Sequence, residues 1–188
     1  MYKGVFSIFS RYWVAYGGWR ALFRSPYLHF AALMMLPTAP FWLYRTWFDQ
    51  VISVVPSLLG FSLGGLAMFL SFGDEKFKTL MAARGSSASV SLYMGICSSF
   101  VHFIMVQIIA LVCAVVFKSL AFDLPGTYCF SGYLVLGGYA FSMFAYLLFL
   151  YSITSMAAAT MAVFRLTSIY AVYQEKLAQQ AQQSGTGP

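Results

Sequence analysis

The chain has 188 residues, of which 61% are apolar and only 9% charged, 11 basic against 5 acidic. A soluble domain carries about 25% charge, so a water-facing globule is excluded, and the apolar excess excludes a disordered chain. What remains is an integral membrane protein.

Residues 1–24 form the first predicted element. Tyr2, Phe6, Phe9, Trp13, Tyr16 and Phe23 recur at steps of three, four or seven, which lines one face of a helix. Lys3, Arg11, Arg20 and Arg24 are scattered through the stretch, and no acid accompanies them. An aromatic, basic amphipathic helix is expected to lie in the membrane interface. Lys3, Arg11, Trp13, Arg20 and Arg24 are its candidate membrane-surface residues, and anionic lipids their partners. The stretch lacks a basic start, a clean apolar core and a small-residue cleavage site, so it does not read as a secretory signal. Gly17 and Gly18 are expected to break the helix.

From there charges punctuate the chain. Uncharged runs cover residues 25–44, 50–73, 85–117 and 124–164. A helix needs about 20 apolar residues to cross a bilayer, and each run is long enough. Pro125, Gly126, Thr127, Ser131 and Gly132 open the fourth run with turn chemistry. The predicted spans are therefore about 27–47, 51–73, 90–117 and 132–164. Barrel strands would alternate in polarity every second residue. These runs are solidly apolar, so the fold class is all-α, with a four-helix transmembrane domain over 25–165. Pro37 and Pro40 predict a kink or unwound turn in the first span. The link at 48–50 predicts a tight antiparallel hairpin. Residues 166–188 are expected to carry the fourth helix onward, with 173–180 in helical form.

Four spans place both termini on one side. That side holds nine basic residues: Lys3, Arg11, Arg20, Arg24, Lys76, Lys78, Arg84, Arg165 and Lys176. Only Arg45 and Lys118 fall on the other. The asymmetry predicts that both termini are cytoplasmic. Lys76, Lys78, Arg84, Arg165 and Lys176 are then candidates for docking a cytosolic partner. Nucleic acid is not an expected direct partner, since the charge faces lipid headgroups.

In the second span Gly60, Gly64 and Gly65, with Ser57, Ser62 and Ala67, form a small face. Small faces let helix backbones approach closely in lipid, where no hydrophobic effect drives them together. Helix packing and a homo-oligomer are expected from them. His102 and Gln107 are the polar residues deepest in a span, and an ionisable group there is a functional candidate. They lie five apart, about 140° around a helix, so one shared site is not expected. His102 reads as a helix–helix hydrogen bond or as a pore or relay residue.

Catalytic signatures are missing. No HExxH, GxxxxGK[ST] or GxGxxG occurs, and the two histidines fall on different spans. Cys97, Cys113 and Cys129 form no CxxC pair. No enzyme activity, metal or cofactor is expected. A transporter would show inverted repeats, and the two halves are unlike. A channel or pore-forming effector remains the alternative, with walls of Ser, Thr, Gly and His between subunits.

The stretch LLGFSLGGLAMFLSFGDEKF, residues 58–77, in a four-span chain with cytoplasmic termini, resembles the membrane subunits of Kiwa antiphage systems. The resemblance implies an oligomeric bacterial inner-membrane sensor that anchors or regulates a cytosolic, DNA-binding effector. It carries over no catalytic residue.

Overall fold

The computed structural model describes residues 2–44, 46–83, 90–120 and 131–185, with side chains over 136–183 in the last of these. Every regular element among them is helical. In chain order they are α1 (Tyr2–Tyr16), α2 (Gly18–Phe23), α3 (Pro26–Met34), α4 (Ala39–Tyr44), α5 (Trp47–Ser71), α6 (Glu75–Ala82), α7 (Leu92–Leu120) and α8 (Ser131–Gly185). Three helices are long and apolar enough to cross a membrane: α5, α7 and the Leu136–Gln183 part of α8.

The chain breaks where glycine and proline require it. Gly17 and Gly18 both take positive φ, 104° and 63°, and turn α1 into α2. Pro26 begins α3 at a position where its missing N–H costs nothing. The first expected span, 27–47, is two short helices joined by an unwound turn at 35–38, the second of the two expected forms. Pro37 and Pro40 remove two backbone donors and stop α3 before α4 begins. Side chains cover carbonyls at this break. Thr38 Oγ1 donates to the Met34 carbonyl at 2.7 Å, and the Trp42 indole donates to that of Met35 at 3.2 Å. Such repair is needed wherever backbone is irregular in apolar surroundings.

The expected linker at 48–50 is helical, because α5 already starts at Trp47. Its first buried residues, Trp47, Val51 and Val55, recur every fourth position and form a packing stripe through that region. Helix α8 runs unbroken from 131 to 185. It therefore joins the expected fourth span and the expected 173–180 helix into one rod.

Helices α5 and α7 are antiparallel. Phe69 meets Tyr93 at one end, and Lys118 pairs with Asp49 at 2.8 Å at the other. Helix α8 runs against α7 and alongside α5, with Phe141 stacked on Phe117 and Tyr170 edge-on to Phe72. The α3–α4 pair lies against α8. Thr154 Oγ1 donates to the Tyr27 carbonyl at 3.0 Å, and Ser142 Oγ to that of Trp42 at 3.1 Å.

Two aromatic-rich clusters fill the ends of this bundle. Phe69, Phe77, Phe100 and Phe103 pack with Leu166 at one end. Trp47, Val51, Val55, Tyr146 and Phe149 pack at the other. Between them lie buried polar side chains: Ser62, His102, Gln107, Ser152 and Ser155. Large apolar residues such as Leu63, Met68, Val112, Val115, Met143 and Phe144 face outward. Polar inside and apolar outside inverts the soluble arrangement and matches a protein whose solvent is lipid.

The described part of the charge-rich 74–89 segment forms α6, which buries Phe77 and Met81 one turn apart. Phe77 packs edge-on against Tyr170 of α8, with ring centres 4.9 Å apart. Gly73 makes the turn from α5 with φ 81°. A β-carbon there would lie 2.6 Å from Phe77 Cδ1. Gly73→Ala should therefore destabilise the docking of α6 by about 1–3 kcal/mol. A lower melting temperature in detergent and faster proteolysis within α6 are the expected readouts.

Candidate functional site

His102 is the centre of the buried polar layer. It is 3% exposed, and both ring nitrogens are engaged. Nδ1 lies 2.8 Å from the Tyr12 hydroxyl of α1, and Nε2 lies 3.0 Å from the Tyr151 hydroxyl of α8. A neutral imidazole has one donor and one acceptor nitrogen. One phenol therefore donates to the ring and the other accepts from it, with the choice set by the tautomer. Tyr16 stacks on the imidazole with centroids 3.9 Å apart and planes 18° off parallel. Burial, with the Tyr151 phenol adding to it, pushes the Tyr12 phenol up to about 12. Tyr12 therefore stays protonated across the physiological range.

This cluster ties α1 to the bundle. The sequence drew attention to Trp13 and Tyr16 as aromatic-face residues, but Tyr12 supplies the hydrogen bond. Its partnership with a residue ninety positions away has no local periodicity to signal it. The packing is confined to the later half of α1. Tyr2, Phe6 and Phe9 remain exposed, at 83%, 73% and 50%. Trp13 is half-buried and packs edge-on against Trp19, while Lys3, Arg11, Arg20 and Arg24 are exposed.

Gln107 occupies a separate site. Its Nε2 donates to Ser62 Oγ of α5 at 2.9 Å and lies 3.4 Å from Met156 Sδ of α8. Its Oε1 is buried and has no hydrogen-bond partner among the described residues. His102 and Gln107 thus face different neighbours, as their angular separation predicts. Each bonds to two helices besides its own, or to one helix and α1, so these groups set the rotation of α7.

The small residues of α5 do not form one face. Ser62 is buried, and a β-carbon at Gly65 would lie 3.1 Å from Phe100 Cε1. Gly65 therefore serves close approach between α5 and α7. Gly60 and Gly64 meet nothing within 4 Å. They belong to a second stripe of Ser53, Ser57, Gly60, Gly64, Ala67 and Ser71, all exposed. The 4-3-4-3-4 spacing places this stripe along one outer seam of the helix.

The basic candidates gather at one end of the bundle. Lys76 and Lys78 are on α6, which packs on Tyr170 and Tyr173 of α8, and Lys176 follows just beyond. Arg165 of α8 and Arg24, which caps α2, line the same cavity. Arg11 lines a second cavity beside the start of α7. Arg84 lies outside the described residues. The Lys118–Asp49 pair is at the opposite end and is exposed on both sides, so it contributes little to stability.

No cluster of three or more His, Cys, Asp or Glu capable of holding a metal occurs among the described residues. No protein-family model, characterised protein or solved structure matches this chain.

Replacing His102 by Ala leaves the Tyr12 and Tyr151 hydroxyls without their partner and opens a void. The expected loss is about 2–4 kcal/mol. Tyr12→Phe alone should cost about 1 kcal/mol. Combining the two should cost less than their sum, since both remove one hydrogen bond. Denaturation followed by tryptophan fluorescence measures all three variants.

Proposed function

We propose that this chain is a multi-span membrane scaffold that assembles with copies of itself and holds a soluble partner at the membrane surface. The observation that carries the reading is the length of α8. It continues without a break from the bundle through Gly185, and Gln174–Gln183 are exposed. That stretch is mostly polar, with Gln174, Glu175, Lys176, Gln179 and Gln180, and it leaves Leu177 exposed among them. A polar helix projecting from a bundle suits contact with a second protein rather than packing on its own.

Several features support the membrane setting and its finer topology. The α3–α4 pair follows α8 from Thr154 to Ser142, which favours a broken fourth crossing beside the three long helices. The gathering of Arg24, Lys76, Lys78, Arg165 and Lys176 at one end, against Asp49 and Lys118 at the other, favours a cytoplasmic face at the basic end. The uncovered aromatic residues of α1 favour an N-terminal helix resting in the interface. The outer seam of α5 around Gly60 and Gly64 favours self-association. With these, the role implied by the Kiwa resemblance is the concrete form of the proposal: an inner-membrane sensor that anchors a cytosolic antiphage effector, without catalytic chemistry of its own.

Gly60→Leu with Gly64→Leu should lower the oligomeric mass measured by light scattering in detergent while leaving the melting temperature within a few degrees of wild type. Gly65→Leu should instead destabilise the protomer by about 1–3 kcal/mol, because it collides with Phe100. Truncation after Tyr173 should keep the chain in the membrane fraction and abolish co-purification of a soluble protein from the native cell. Unchanged co-purification would count against α8 as the docking element. Ion flux through liposomes, blocked by bulky residues on the α5 seam, would favour a channel instead.

A further inference from the structure

A cavity of about 580 Å³ opens between the α2–α3 turn, the first turns of α7 and the middle of α8. Its size is within the range of small-molecule sites. Two guanidinium side chains line it, Arg24 from the N-terminal segment and Arg165 from α8, far apart in sequence. No carboxylate is among its lining residues. Neither arginine makes an ion pair or side-chain hydrogen bond among the described residues. Both arginines are exposed on its wall with no carboxylate beside them, so the cavity favours an anion.

Ser25 and Ser99 add hydroxyls to the lining, and much of the remainder is apolar. Ile96 and Phe103 of α7 and Met161 of α8 extend the cavity along the bundle wall. The two arginines also mark the edges of uncharged runs: Arg24 precedes 25–44, and Arg165 follows 124–164. They therefore stand at headgroup depth in the proposed membrane setting, with the apolar wall continuing toward the hydrocarbon. The start of α3 reaches the same cavity through Ser25 and Pro26, and its dipole adds partial positive charge.

We propose that this cavity binds an anionic phospholipid, with Arg24 and Arg165 holding its phosphate and the Ile96–Phe103–Met161 wall taking the first part of an acyl chain. Arginine suits the task because its planar fork grips phosphate oxygens through paired N–H donors. The site couples the N-terminal segment to α8 through one ligand, so lipid occupancy would brace α2–α3 against the helix that projects from the bundle. The inference rests on the membrane setting alone and not on partner docking or oligomer formation.

The test uses the full chain in nanodiscs of phosphatidylcholine with phosphatidylglycerol as the probe, and native mass spectrometry to count retained lipid. Wild type should retain phosphatidylglycerol in preference to phosphatidylcholine. Arg24→Gln with Arg165→Gln should weaken retention by roughly tenfold per arginine. Lys78→Gln with Lys176→Gln removes the same charge outside the cavity and should leave retention unchanged. Equal loss in that control would overturn the site in favour of a diffuse basic belt. Gly95 lines the cavity, and a β-carbon there meets nothing within 4 Å. Gly95→Leu should therefore fill the space, keep the fold and expel the lipid. Undiminished retention by Gly95→Leu, or full displacement by inorganic phosphate, would also overturn the proposal. Neither result bears on co-purification of a soluble partner, which separates this failure from that of the scaffold reading.

Discussion

Lipid offers the outer faces of α5, α7 and α8 surroundings as apolar as themselves, so burying leucine between them yields little. Helices in that setting are held by close packing and by polar groups that find partners only between helices. The buried layer of this protein follows that rule. His102 reaches α1 and α8, and Gln107 reaches α5 and α8. Both belong to α7, which makes that helix the central post of the bundle. Rotating it by one residue would strand several polar groups in hydrocarbon, and this penalty specifies its orientation.

The same logic explains the ends. Aromatic clusters flank the polar layer, and their broad rings bury large apolar area between the helices. The break between α3 and α4 is tolerated because Thr38 and Trp42 engage carbonyls near it. The α6 helix closes one end by burying Phe77 and Met81, and it leaves Lys76 on the exposed side. Charge is thus confined to the extremities, and Arg24 and Arg165 share a cavity at the basic one.

Much of this was legible in the chain. The locations of the three long helices follow from the distances between charges, because each ionised group marks where a helix leaves hydrocarbon. The break after α1 at Gly17–Gly18 and the interruption at Pro37 and Pro40 follow from backbone chemistry. Other features were not legible. Helix α6 hides in a segment whose charges dominate its two buried apolar residues. The glycine-rich face of α5 looks single in sequence, yet neighbouring positions 64 and 65 point to different surroundings, one open and one against Phe100.

The sequence by itself determined the class of the protein, the rough lengths of its helices and the clustering of basic residues, since each depends on composition counted along the chain. Only the tertiary structure decided which polar groups meet. Tyr12 and Tyr151 find His102, and Ser62 finds Gln107, across intervals that no local pattern spans. Arg24 and Arg165 likewise come to line one cavity. Hydrogen bonding acts over a few ångströms, and that proximity is created by the crossing of helices rather than by their order in the chain.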